Sequence, residues 1–138
     1  MYIIVLVIIV LAIYLFLIMP KTFNTRDMSI FKNYYFAHRG LHKGEEIPEN
    51  SLGAFLQAVD NNYAIELDVQ LTKDGEPVVF HDYSLKRVCV PDRMVRDLNF
   101  NEIKNLRLYN SGEKIPHLKE VLDSVDGRVP LLVELKTD

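Results

Sequence analysis

One cysteine, Cys89, in 138 residues excludes an intrachain disulfide and fits a reducing compartment. No Cys or His stands at a zinc-type spacing from it, so it reads as an ordinary thiol. A basic excess is lacking too. Lys and Arg number 16 against 19 Asp and Glu, a net charge of -3, which argues against nucleic acid as a partner. Internal repeats and low-complexity runs are absent. The start of the chain has no Lys or Arg, and Ile18-Met19-Pro20-Lys21 offers no small-residue cleavage site. Both absences speak against a cleaved signal peptide.

What the chain has instead is an apolar opening. Tyr2 to Met19 is apolar or Tyr throughout, and about 20 such residues make a spanning helix. The expectation is a transmembrane helix over 1–20, ended by Pro20, whose ring cannot continue the hydrogen-bond ladder. Lys21, Arg26 and Lys32 follow it and no basic side chain precedes it. The positive-inside rule then predicts a single-pass membrane protein with its domain in the cytoplasm. Residues 21–33 read as a juxtamembrane linker and 34–138 as one domain.

Within that domain strands and helices alternate. Tyr34 to His38 is a short aromatic strand. Ser51 can cap a helix carrying Leu52, Phe55, Leu56 and Val59 at helical spacing. Ala64 to Leu71 is a second strand, Lys73-Asp74-Gly75 turns the chain, and Pro77 to His81 is a third. Residues 83–114 show no long period, although Asn99 with Glu102 resembles a capping box. His117 to Val125 is a helix, and Pro130 to Lys136 a fourth strand. The pattern predicts an α/β fold with mainly parallel strands, either barrel or open sheet.

Side chains alternate along a strand. In the second strand Ile65, Leu67, Val69 and Leu71 share one side, and Glu66, Asp68 and Gln70 the other. In the fourth, Glu134 and Lys136 lie opposite Leu131, Val133 and Leu135. A covered parallel sheet is normally apolar on both sides, so a polar row asks for a reason. If the two rows converge, Glu66, Asp68 and Glu134 make an oxygen-rich trio suited to Mg2+ or Ca2+ rather than zinc. Without a cation such carboxylates repel one another.

His38 and His81 each close a strand, and imidazoles suit proton transfer near neutral pH. Arg39 and Lys136 can hold phosphate oxygens, the first as a fork and the second as a point charge. Asn50 is placed as a polar wall of the pocket. Glu49 is either a cap residue or part of the site, and His42 and His117 receive no role.

These motifs, His38-Arg39-Gly40, Pro48-Glu49-Asn50-Ser51, Glu66-x-Asp68, Thr72-x-Asp74-Gly75, His81-Asp82, Ile115-Pro116-x-Leu118 and Glu134-x-Lys136, together resemble the glycerophosphodiester phosphodiesterase family. The resemblance implies a (β/α)8 barrel, of which about the first half is present, with the site at the C-terminal strand ends. It implies divalent-metal-dependent hydrolysis of glycerophosphodiesters to glycerol phosphate and an alcohol. His38 and His81 become the acid–base pair. Glu66, Asp68 and Glu134 hold the metal, and Arg39 and Lys136 contact phosphate. Cys89 and His117 depart from the family pattern. A lysophospholipid substrate, a lysophospholipase D or phospholipase-like activity, and an inactive truncated membrane fragment are the alternatives. Four strands cannot close a barrel, so the missing half, or another copy, is an expected partner.

Overall fold

The computed structural model describes residues 2–19 and 28–137. The chain separates into two units, Met1–Ile30 and Phe31–Asp138. Of the expected linker, residues 21–27 lie outside the described residues, as does Pro20.

The first unit holds helix α1, Tyr2–Ile18, apolar on all sides. Its 17 residues make about 25 Å of helix, short of a hydrocarbon core of about 30 Å. Among the described residues no helix is long and apolar enough to cross a membrane. The expected transmembrane helix over 1–20 is therefore overturned, and with it the single-pass placement and the cytoplasmic side. The reason sits at the helix end. Met19 precedes Pro20, and a proline disfavours helical dihedrals at the residue before it, so the helix stops at Ile18.

The second unit runs β1 (Phe36–Ala37), α2 (Leu52–Asp60), β2 (Ala64–Leu71), β3 (Pro77–Val79), α3 (Phe100–Ile103), α4 (Leu118–Val125) and β4 (Leu131–Leu135). Strand β2 is the hub. Strand β1 pairs with it in parallel at Phe36↔Ala64 and Ala37↔Ile65, and β4 in parallel from Ile65↔Leu131 to Val69↔Leu135. Strand β3 pairs antiparallel at Val69↔Val79, Gln70↔Val78 and Leu71↔Pro77. Ile65 and Val69 each have two partners, so β1 and β3 share one edge of β2 and β4 takes the other.

The antiparallel β3 is the exception in a sheet that is mainly parallel, as expected. Thr72 N–H donates to Glu76 C=O at 3.0 Å, closing a turn that contains Gly75 at φ +81°. A parallel neighbour needs a crossover of about a dozen residues or more, and this connection is far shorter. Three parallel strands result, and the last predicted strand lies directly beside β2.

Helix α2 starts where Ser51 accepts a hydrogen bond from Ala54 N–H at 3.1 Å, and it buries Ala54, Phe55 and Ala58. Leu56, expected on the apolar face, is exposed. Helix α4 starts at His117, whose ring accepts from Lys119 N–H at 3.0 Å, and the Glu120 carboxylate accepts from His117 N–H at 2.9 Å. Both helices pack on one face of β2, joining Phe55, Ala58, Val121 and Val125 to Ile65, Leu67 and Val69. A second core of Val78, Phe80, Leu85, Val95, Ile103 and Leu108 fills the segment without sequence periodicity. The opposite face of β2 is left to Glu66, Asp68 and Gln70.

Candidate active site

Register alone assembles the carboxylates. Asp68 is paired with Glu134, and Glu66 lies one pleat back on the same face of β2. One oxygen from each of Glu66, Asp68 and Glu134 lies within 4.8 Å of the others. Asp68 is 1% exposed, and three side chains converge on it. Lys136 Nζ lies 3.0 Å from Oδ1, Arg39 Nε lies 3.5 Å from Oδ2, and Asn50 Nδ2 donates to Oδ2 at 2.8 Å. Lys136 also reaches Glu134 at 2.5 Å. Burial works to lower the Lys136 pKa, but the hydrogen bond to Glu134 and the negative charge of Asp68 beside it outweigh that and raise it.

The donor set fits a hard divalent cation. It is all oxygen, and buried Asp68 Oδ1 accepts no well-aligned hydrogen bond although Lys136 is near. Charge agrees. Glu49, Glu66, Asp68, Asp82 and Glu134 surround Arg39, Arg87 and Lys136, so the carboxylates exceed these cations by two.

His38 follows β1 and enters a left-handed turn, with Arg39 at φ +58° and Gly40 at φ +82°. That turn aims Arg39 N–H at Glu66 Oε2, 2.9 Å away. The Arg39 carbonyl in turn accepts from Asn50 N–H at 2.9 Å, and Asn50 is itself left-handed at φ +54°. Strain at two non-glycine residues, typically about 1–3 kcal/mol each, gathers at functional sites. The exposed His38 ring sits with Nε2 3.9 Å from Glu66 Oε2.

His81 follows the short β3, and Gln70 holds its loop. Gln70 Nε2 donates to the carbonyls of Phe80 at 2.8 Å and Asp82 at 2.7 Å. His81 Nδ1 lies 2.5 Å from Asp82 Oδ1. Arg87 grips Asp82 through Nε at 2.6 Å and Nη2 at 3.1 Å, and Nη2 also reaches Glu49 at 2.5 Å. Glu49 in turn holds Arg39 Nη1 at 3.0 Å. The hydrogen bond from Arg87 drives Asp82 below the usual carboxylate range, with a smaller push from His81 and burial opposing both. For Glu49 burial raises the pKa, and Arg87 and Arg39 more than reverse it. Beside Lys136 opens a cleft of about 430 Å³, lined also by Gln70, Thr72, Lys73, Tyr83, Arg96 and Thr137.

Of the residues picked out in the sequence, Glu66, Asp68 and Glu134 meet, and Arg39, Lys136 and Asn50 all reach Asp68. His38 lies beside Glu66. His81 joins the same set through Asp82, Arg87, Glu49 and Arg39. Glu49 belongs to this network rather than capping a helix. His117, given no role in the sequence, caps α4 and contacts Glu76 at 3.0 Å. Arg87 and the role of Gln70 were missed. Gln70 shares the strand parity of Glu66 and Asp68, a usable signal, whereas Arg87 lies in the aperiodic segment and gave none.

A mainly parallel sheet covered by helices on one face, with a carboxylate cluster and flanking cations on the other, defines an α/β protein with a candidate metal centre. The chain belongs to the glycerophosphoryl diester phosphodiesterase family, whose model matches residues 38–138. It is 39% identical over 114 residues to the glycerophosphodiester phosphodiesterase of Caldanaerobacter subterraneus subsp. tengcongensis, covering 77% of this chain and 46% of that one. The crystal structure of glycerophosphodiester phosphodiesterase from Thermotoga maritima matches at TM-score 0.65 and 38% identity, over 74% of this chain and 43% of that one. An Oleispira antarctica phosphodiesterase, solved in complex with the product sn-glycerol-3-phosphate, matches at TM-score 0.68 and 32% identity, over 75% and 44%. The chain spans less than half the length of each of these relatives.

Proposed function

We propose that this chain carries the metal- and phosphate-binding part of a glycerophosphodiester phosphodiesterase, which hydrolyses a glycerophosphodiester to glycerol 3-phosphate and an alcohol. The observation that supports this most is the meeting of Glu66, Asp68 and Glu134 within 4.8 Å, with Arg39 and Lys136 against Asp68. In this reading β1, β2 and β4 are three neighbouring strands of a (β/α)8 barrel with its site at the C-terminal strand ends.

Glu66, Asp68 and Glu134 would hold Mg2+ or Ca2+, which supplies Lewis-acid stabilisation of charge on the phosphate. Arg39 and Lys136 bind the non-bridging phosphate oxygens, and Asn50 keeps the Asp68 carboxylate in place. His38 and His81 move the protons. One imidazole takes a proton from the attacking oxygen as its bond to phosphorus forms. The other gives a proton to the alcohol oxygen as its bond breaks.

The test is release of choline from glycerophosphocholine by the full chain, with Mg2+ or Ca2+ and then with EDTA. EDTA is expected to abolish turnover and added cation to restore it. Turnover that ignores EDTA refutes the metal assignment. His38→Ala is expected to cost about 10²–10⁴-fold in rate, the usual range for general acid–base groups. A wild-type rate removes His38 from the chemistry.

A further inference from the structure

The loop after β3 and the loop ahead of α2 are joined by a single guanidinium that the hydrolytic scheme leaves without a role. Arg87 makes two parallel hydrogen bonds to Asp82, a further one to Glu49, and one to the Tyr109 hydroxyl at 3.1 Å. Asp82 is the carboxylate at His81 Nδ1, and Glu49 is the carboxylate at Arg39.

We propose that Arg87 is the positioning residue for His81, its forked guanidinium locking Asp82 against the imidazole and tying that loop to Glu49. The proposal rests on the reading of His81 as a proton-transfer group. An ionised carboxylate can only accept hydrogen bonds, so Asp82 requires the proton of a neutral His81 to sit on Nδ1. Nε2 is thereby left to face the substrate. The bond that fixes one ring nitrogen decides what the other can do.

Two features single out Arg87. Gln70 fixes the backbone of this loop, but only Arg87 and His81 are bonded to the Asp82 side chain among the contacts described. The same guanidinium spans two loops, so His81 and the phosphate-facing Arg39 are kept at one spacing. A lysine is a point charge on a flexible stem and cannot grip a carboxylate in two places. Arg87 is 45% exposed along its side chain, and exposed ion pairs contribute little to stability. The loss of Arg87 should therefore show in the chemistry and the state of the imidazole more than in unfolding.

The experiment compares wild-type full chain with Arg87→Ala and Arg87→Lys. It measures kcat and KM for glycerophosphocholine, and the nitrogen NMR shifts of the His81 ring. Arg87→Ala is expected to lower kcat about 10–100-fold, the scale typical of groups that orient a contacting residue, with KM within about twofold. The Nδ1-protonated signature of His81 gives way to a mixture of tautomers, and Arg87→Lys lies in between. An unchanged kcat, a loss confined to KM, or an unchanged His81 spectrum in Arg87→Ala overturns the proposal. Absence of turnover in wild type counts against the hydrolase reading instead, and the His81 spectra then decide the positioning role alone.

Discussion

Gly40 offers a test in which backbone strain and steric overlap separate cleanly. Its φ of +82° is matched by Gly75 at +81°, so replacing either with Ala incurs a similar left-handed penalty of about 1–2 kcal/mol. Their surroundings differ. A Cβ on Gly40 would sit 2.9 Å from both Ala54 Cβ and Phe55 Cδ1, while one on Gly75 meets nothing within 4 Å. Carbon pairs prefer about 3.5–4.0 Å, and relieving such overlap in a packed core costs about 1–3 kcal/mol. Gly75→Ala is therefore expected to cost about 1–2 kcal/mol and Gly40→Ala about 2–5 kcal/mol. At about 4–8 °C per kcal/mol for a domain of this size, the extra overlap should make Gly40→Ala melt roughly 4–24 °C below Gly75→Ala. Circular dichroism melts of the three proteins measure this. Relief of the overlap pushes Arg39 away from Glu66, so residual choline release should also fall more in Gly40→Ala. Equal melting temperatures for the two variants would refute the close approach of the His38-Arg39-Gly40 turn to α2.

Glu49 and Asp82 are both held below their ordinary values. Their contribution to stability is fully present above the unfolded carboxylate range of about 4 and is lost as pH falls through the folded values. Urea midpoints should drop below about pH 4, and less steeply in Arg87→Ala; equal slopes would count against the ion-pair network. Burial pushes the Cys89 thiol up to about 11, so the native protein should resist iodoacetamide at neutral pH and react once unfolded. Labelling of native protein at the unfolded rate would contradict that burial. Phe55→Ala should destabilise the domain by about 3–5 kcal/mol in urea titrations, since Phe55 is fully buried between α2 and the sheet. A loss under about 1 kcal/mol would mean the site collapses around the gap.

The sequence showed the carboxylate cluster more clearly than the sheet around it. Alternation in β2 and β4 put Glu66, Asp68 and Glu134 on one face because a strand has a strict period of two, and the ends of β2 fall where the pattern begins and stops. Strand direction is not written in that alternation. Only the shortness of Lys73-Asp74-Gly75 carried it, and a hairpin should have followed from that turn. Arg87 was invisible because it works through loops brought together by a second core without periodicity. The length of α1 was misjudged by two residues at its end, where Pro20 acts on Met19 before it acts on itself. Small errors of that kind matter when a membrane sets a threshold.

Strand β2 has no spare side. Both its edges are paired, one face is packed under helices, the other carries Glu66, Asp68 and Gln70, and every residue from Ala64 to Val69 is buried along with Gln70. Saturation mutagenesis should meet an unbroken block of intolerance there, some positions failing in expression and their neighbours in turnover. An engineer seeking room to alter this protein would do better to leave that stretch untouched and diversify the solvent-facing loops around it.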